Sequence, residues 1–165
     1  MEEIRIRPAR ASDEGALGRY GGALMRQHHQ FDPDRFITIE NPEAGYGRFL
    51  VSQIGEDDTV VLVAERRDEV VGYVFAALEP MSWKELRAAC GFIHDVFVDE
   101  RARRGGVGGQ LVTAAAEWLR SRGMPRVVLQ SAAKNAAAQR LFERLGFRHT
   151  MVEMTLELGA ASREP

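Results

Sequence analysis

The stretch Arg103-Arg104-Gly105-Gly106-Val107-Gly108-Gly109 is the part of this chain best suited to hold a ligand. Its four glycines stand between an apolar run with strand character and a long amphipathic run with helical character. Glycine lets a ligand approach the backbone closely and admits conformations closed to other residues. The first N–H groups of a helix lack intrahelical partners and carry partial positive charge. A glycine-rich turn that opens a helix therefore suits phosphate, and two arginines add charge beside it. No Lys-Ser or Lys-Thr follows the glycines, so the loop is not a P-loop, and G-x-G-x-x-G is also absent. Taken alone, such a loop is equally compatible with a plain turn.

A second group of chemistry-bearing residues lies just upstream. His94 and Asp95 sit within Phe92-Ile93-His94-Asp95-Val96-Phe97-Val98, a strand by composition. Histidine, with an ordinary pKa of about 6.5, suits proton transfer at neutral pH, although a lone histidine in a strand is also a common hydrogen-bonded core residue. Strict alternation would place His94 with Phe92 and Val96 and put Asp95 on the opposite face, unless a bulge intervenes. Asp95 would bind a substrate ammonium or hold a neighbouring element. His28 and His29 close the first helical run, while Glu79 and Glu153 are further ammonium partners or solvated strand ends. Cys90 is the only cysteine, so no internal disulfide forms, and no Cys-His-Asp arrangement supports it as a nucleophile. No Cys/His cluster has metal-ligand spacing, and no metal is expected.

The elements that must position these residues follow from periodicity. Ile4-Arg5-Ile6-Arg7 alternates and is stopped by Pro8. Ser12, Asp13 and Glu14 signal a helix start, and Leu17, Tyr20, Leu24 and His28 share one helical face. Gly15, Gly18, Gly21 and Gly22 weaken that helix by roughly 1 kcal/mol each relative to alanine, which predicts a bend or break near its middle. A shorter helix is expected after Pro42. The runs 59–65 and 70–78 form a hairpin across Arg66-Arg67-Asp68-Glu69. After the 92–98 strand, Val107, Leu111, Ala115 and Leu119 line a helix ended by Gly123 and Pro125. A short strand at 126–130 follows, then a helix capped by Asn135 and stopped by Gly146. A last strand is expected over 151–158, with a frayed tail from 159. An antiparallel hairpin followed by β-α-β implies a mixed sheet with helices on its faces.

In combination these motifs resemble the GNAT superfamily of N-acetyltransferases over roughly residues 3–158. The carriers are Arg103-x-x-Gly106-x-Gly108 at a helix start, the preceding 92–98 strand, and the later set Asn135, Ala138, Phe142, Gly146 and Phe147. The resemblance implies an α/β (mixed α+β) fold with a mixed antiparallel and parallel sheet, splayed near its centre and flanked by helices on both faces. It implies acetyl-CoA as cosubstrate and an amine-bearing small molecule or peptide as acceptor. The diphosphate would sit on backbone N–H groups of the loop, with Arg103, Arg104, Gly105, Gly106, Val107, Gly108 and Gly109 at the cofactor. The pantetheine arm would pair with Val96, Phe97 and Val98 like an added strand. Asn135 and Ala138 would line it, with Phe142 near the thiol end. His94 would act as base, and Asp95 is the second catalytic candidate. Relatives commonly place a tyrosine where this chain has Phe142, so the usual proton donor to the thiolate is missing. That departure motivates an alternative, a non-catalytic acyl-CoA-binding sensor, and the loop alone would also fit a nucleotide-phosphate module.

Composition limits the rest. The 165 residues suit one domain over 1–165. A formal charge of −2 provides no basic field, which argues against nucleic acid as the main partner. The acidic start Met1-Glu2-Glu3 lacks the apolar core of a signal peptide. No apolar run approaches the roughly 20 residues that cross a bilayer. A cytoplasmic protein that does not bind a membrane is expected. A homodimer through the last strand or a flanking helix is compatible with the sequence.

Overall fold

The computed structural model describes residues 3–159. The tail expected to fray from 159 lies, beyond Gly159, outside the described residues. The elements run β1 (Arg5–Pro8), α1 (Glu14–Phe31), α2 (Pro42–Ser52), β2 (Thr59–Arg66), β3 (Glu69–Glu79), β4 (Cys90–Val98), α3 (Val107–Ser121), β5 (Val127–Leu129) and α4 (Ala136–Arg144). Short 3-10 turns at Ala11–Asp13 and Glu100–Ala102 lead into α1 and into the glycine loop.

The five strands lie in sequence order, β1 to β4 antiparallel and β5 parallel to β4. Arg67 and Asp68 turn the β2–β3 hairpin with positive φ, the backbone twist that a two-residue hairpin turn favours. Alternation along β2 and β3 divides the core. Leu62, Val74 and Ala76 pack with Leu111, Val112, Ala115 and Leu119 of α3. Val61, Val63, Tyr73 and Phe75 pack on the other face with Leu17, Tyr20 and Leu50 of α1 and α2. The α1–α2 face holds the site described below.

Two expectations need correction. First, α1 is one uninterrupted helix of 18 residues. Its glycines do not break it, and three of them, Gly18, Gly21 and Gly22, form the seam against α2. A Cβ on Gly18 would stand 2.3 Å from the Glu43 carbonyl oxygen, and one on Gly21 would stand 2.1 Å from the Tyr46 ring. The helix loses propensity at these positions but gains close packing. Its start also differs from the simple capping signal. Asp13 makes no side-chain cap to α1 and instead accepts bonds from the buried Arg7 guanidinium at 2.8 and 3.0 Å. Arg7 also donates to Glu65 at 2.7 Å, which ties β1 to β2.

Second, residues 151–158 form no strand. The segment alternates correctly, but it pairs with no sheet edge among the described residues. Its apolar side chains, Met151, Val152, Met154, Leu156 and Leu158, are each at least 81% exposed. Alternation supplies a strand's side-chain pattern but not a partner for its backbone. Glu153 instead pairs with Arg35 in the connection between α1 and α2, with Nη2 3.0 Å from Oε2.

Candidate active site

The glycine loop follows β4 and opens α3. Arg104 (φ 68) and Gly106 (φ 77) both take left-handed backbone. Gly106 is the N-cap of α3, and a Cβ built on it meets no heavy atom within 4 Å. On Gly105 the nearest atom is the Ala102 carbonyl oxygen at 3.6 Å. At these two positions the loop leaves room above its backbone, in contrast to Gly18 and Gly21 of α1, whereas a Cβ on Gly108 would stand 3.1 Å from the Leu141 side chain. Its lead-in is anchored by Asp99, whose carboxylate accepts from Arg101 N at 2.9 Å and from the Arg101 guanidinium at 3.0 Å. The Arg101 guanidinium chiefly, with the backbone bond, draws the Asp99 carboxyl down to about 2. Tyr20 of α1 donates to Asp99 at 3.1 Å, and burial first, then the Asp99 charge, pushes its hydroxyl up to about 12. Arg103 donates to the Val98 carbonyl at 3.0 Å and lies over the Phe97 ring. Beside it, Ala23, Arg26, Gln27, Gln30, Phe97 and Arg103 line a shallow cavity of about 300 Å³.

β4 leads from this loop into the sheet. β5 pairs with it only at Gly91, Phe92 and Ile93, while β4 runs on to Val98. The edge of β4 from His94 to Val98 that faces the β5 side thus pairs with no strand among the described residues. Backbone groups on such an edge need partners, and an extended amide-bearing ligand can supply them. The loop and this edge together make a helix N-terminus continuous with an unpaired stretch of backbone.

The strand carries a bulge where the chemistry was expected. Phe75 pairs with Asp95 and Ala76 with Ile93, so His94 is the extra residue. Ile93 and Val96 belong to the α3 side of the core. The rings of Phe92 and His94 stack at 4.7 Å, and those of Phe75 and His94 at 5.3 Å. His94 and Asp95 therefore both face α1 and α2. Simple alternation, which put His94 with Val96 and Asp95 opposite, fails by this one inserted residue.

Each of the two has a built environment. His94 Nε2 lies 2.9 Å from Glu79 Oε1. A carboxylate only accepts, so Nε2 carries the hydrogen and a neutral ring presents its lone pair at Nδ1. Asp95 is half-buried, and its Oδ2 accepts from the hydroxyls of Tyr46 at 2.7 Å and Tyr73 at 3.0 Å. Burial pushes its carboxyl above the ordinary value, against the two hydroxyls that hold it down. Burial and the Asp95 charge in turn raise both tyrosines. Asp95 Oδ1 takes no hydrogen bond among the described residues, and it is not among the sealed, unsatisfied buried atoms.

The remaining candidates divide. Phe142 is 6% exposed and packs against Phe147 in the α3–α4 core. Asn135 Oδ1 caps α4 through Ala138 N at 3.2 Å, which occupies its acceptor and leaves its amide donors. Nδ1 of His28 and of His29 donates to the carbonyls of Leu24 and Phe36, each at 2.9 Å. Cys90 is fully buried and burial raises its thiol, the opposite of an activated nucleophile. Among the described residues, no group of three or more His, Cys, Asp or Glu is placed to hold a metal, and no helix is long and apolar enough to cross a membrane. Tyr46, Phe49, Tyr73 and Phe75 were not singled out by the sequence reading. Tyr73 carried a usable signal, because a tyrosine inside an apolar strand needs a partner for its hydroxyl.

The half-paired strand β4 thus ends in a glycine loop at a helix N-terminus and carries a histidine and a carboxylate at its bulge. The acetyltransferase (GNAT) family matches residues 23–147, and the chain belongs to it. An uncharacterized N-acetyltransferase of Bacillus subtilis (strain 168), YhfO, is 27% identical over 87% of this chain and 89% of its own. The mycothiol acetyltransferase of Amycolatopsis mediterranei (strain U-32) is 35% identical over 83% of this chain, a match that spans 44% of that longer protein. The fold is shared with the aminoglycoside N-acetyltransferase AAC(6')-Iy in complex with CoA. The TM-score is 0.70 at 17% identity, covering 95% of each chain.

Proposed function

We propose that this chain is a cytoplasmic, single-domain (1–165) acetyl-CoA-dependent N-acetyltransferase that acts on a primary amine of a small molecule or peptide in a ternary complex. The observation that carries this reading is the open glycine loop continuous with the unpaired edge of β4, which ends at His94 and Asp95. The CoA bound by an acetyltransferase of the same fold supports the choice of cosubstrate.

Acetyl-CoA supplies a thioester carbon to which a neutral amine nitrogen bonds, the C–S electron pair leaving on sulfur. The chain's residues do the rest. Backbone N–H groups of 104–109 hold the diphosphate, and Val96 and Val98 align the arm. His94 Nδ1 takes the ammonium proton, with Glu79 fixing the tautomer through Nε2. The β4 N–H of Val96, which points away from β3, donates to the carbonyl oxygen as negative charge grows there. Bond formation leaves the nitrogen one proton in excess, and that proton passes through water to the departing sulfur, whose thiol, with an ordinary pKa of about 8.5, is a tolerable leaving group. The exposed apolar side chains of 151–158 support self-association, which sedimentation reads directly.

Release of free thiol from acetyl-CoA, measured against a panel of amines, tests the reading. His94→Ala should flatten the pH-dependent limb of the rate and leave CoA affinity nearly intact. An unchanged pH profile removes His94 as base. The buried Phe142 favours a second reading, the acyl-CoA-binding sensor. Tight CoA binding with no turnover on any amine, in both wild type and Phe142→Tyr, would establish it.

A further inference from the structure

The face of the sheet that carries His94 and Asp95 is built from aromatic rings. Tyr46 meets Phe49 at 6.4 Å between centroids, Phe49 meets Phe75 at 5.6 Å, Phe75 stacks on His94, and His94 stacks on Phe92. The result is one continuous ribbon running from α2 across β3 to β4. Each end carries a carboxylate, Asp95 through Tyr46 and Glu79 through His94. Phe49 is 47% exposed, so the ribbon is reachable from solvent. Two guanidiniums stack on neighbouring rings, Arg35 on Phe36 and Arg103 on Phe97, and both are engaged: Arg35 by Glu153 and Arg103 by the Val98 carbonyl.

Resting on the transferase reading, we propose that the acceptor is a primary amine carried on a flat apolar body, an arylalkylamine. Its ammonium meets Asp95 Oδ1, and its body lies along the Tyr46–Phe49–Phe75–His94 ribbon. The two hydroxyls on Oδ2 fix the carboxylate and leave Oδ1 as the atom that takes an N–H. Ring faces attract both a cation and another ring. A phosphorylated amino sugar would bring its anion toward the two carboxylates of this face. Tyr46 acts through Asp95 and is a positioning residue.

Calorimetric titration into the CoA-saturated protein separates this inference from the transferase reading, with turnover measured in parallel. Phenethylamine, butylamine, putrescine and glucosamine phosphate are the probes. Phenethylamine should bind about tenfold more tightly than butylamine, the size of one good ring–ring contact. Phe49→Ala, at a half-exposed position, should remove that difference. Asp95→Asn should weaken phenethylamine and butylamine alike, by tenfold or more. Tyr46→Phe should raise the KM for amine with a smaller change in kcat. The proposal is overturned if butylamine, putrescine or glucosamine phosphate binds as tightly as phenethylamine, if Phe49→Ala leaves the ratio unchanged, or if no amine binds. Selective binding of phenethylamine without turnover would uphold the pocket and remove the transferase. Turnover without aromatic preference would do the reverse.

Discussion

Two glycine-rich stretches of this molecule do opposite work. In α1, Gly18 and Gly21 are small so that another part of the protein can come close, and a Cβ there would strike Glu43 backbone or the Tyr46 ring. In the loop before α3, Gly106 is bare so that something other than the protein can come close, and a Cβ there meets nothing within 4 Å. The first kind of glycine is filled against by the protein and the second is left open, although the letter in the sequence is the same. Mutation reads them differently: a side chain at Gly18 acts by overpacking, whereas one at Gly106, with φ 77, fills the space above the loop and also strains its backbone.

The largest effect belongs to the seam. Gly18→Val drives a branched side chain into the Glu43 carbonyl, and overpacking against backbone destabilises by about 3 kcal/mol. A thermal melt should then fall by about 6–12 °C for a chain of this size. A melt within a degree of wild type would mean α1 and α2 are not held this closely. Gly106→Glu comes next and is read by CoA binding. It adds negative charge and bulk where phosphate would approach, so CoA affinity should drop about 100-fold or more, roughly 2.7 kcal/mol. Undiminished affinity in a folded variant would contradict the assignment of the loop.

Asp95→Asn tests the floor between the two regions. The raised carboxyl means that wild type loses stability as pH rises through the folded-state value, because burial penalises the charge. Asparagine has no such charge and can still accept from Tyr46 and Tyr73. At pH 7 the variant should melt higher than wild type. The gain should disappear as pH falls toward the ordinary carboxylate value of about 4. An equal gain at both pH values would separate it from ionisation. The smallest effect is expected at Gly15, where a Cβ would meet only the flexible Arg19 side-chain end at 3.7 Å. Gly15→Ala should stabilise α1 by about 1 kcal/mol or less, which makes it the control for the seam.

Most of the architecture was legible in the sequence. The β-rich runs 59–65 and 70–78, the Asn135 cap and the glycine loop each depend on local chemistry, and each lies where local reasoning placed it. What escaped depends on distant partners. Whether Gly18 weakens a helix or packs it is decided by Glu43 and Gly47 on another helix. The bulge at His94 comes from the register of β3 against β4, which a period-two reading cannot contain. Tyr46 and Tyr73 reach Asp95 from 49 and 22 residues away. The site's composition was therefore visible in part, with His94 and Asp95 named, but the face they share was not.

The segment that pairs with no strand has a practical consequence. From 148 to 159 every residue is exposed and none is helical or paired in a sheet, so a protease can thread this stretch into its cleft without unfolding the core. Nicking should begin there and leave a trimmed, still folded protein. Trimming removes Glu153, and with it the counter-ion of Arg35, whose guanidinium would then be unpaired beside Phe36. A digested sample could thus behave differently toward anionic ligands from the intact one.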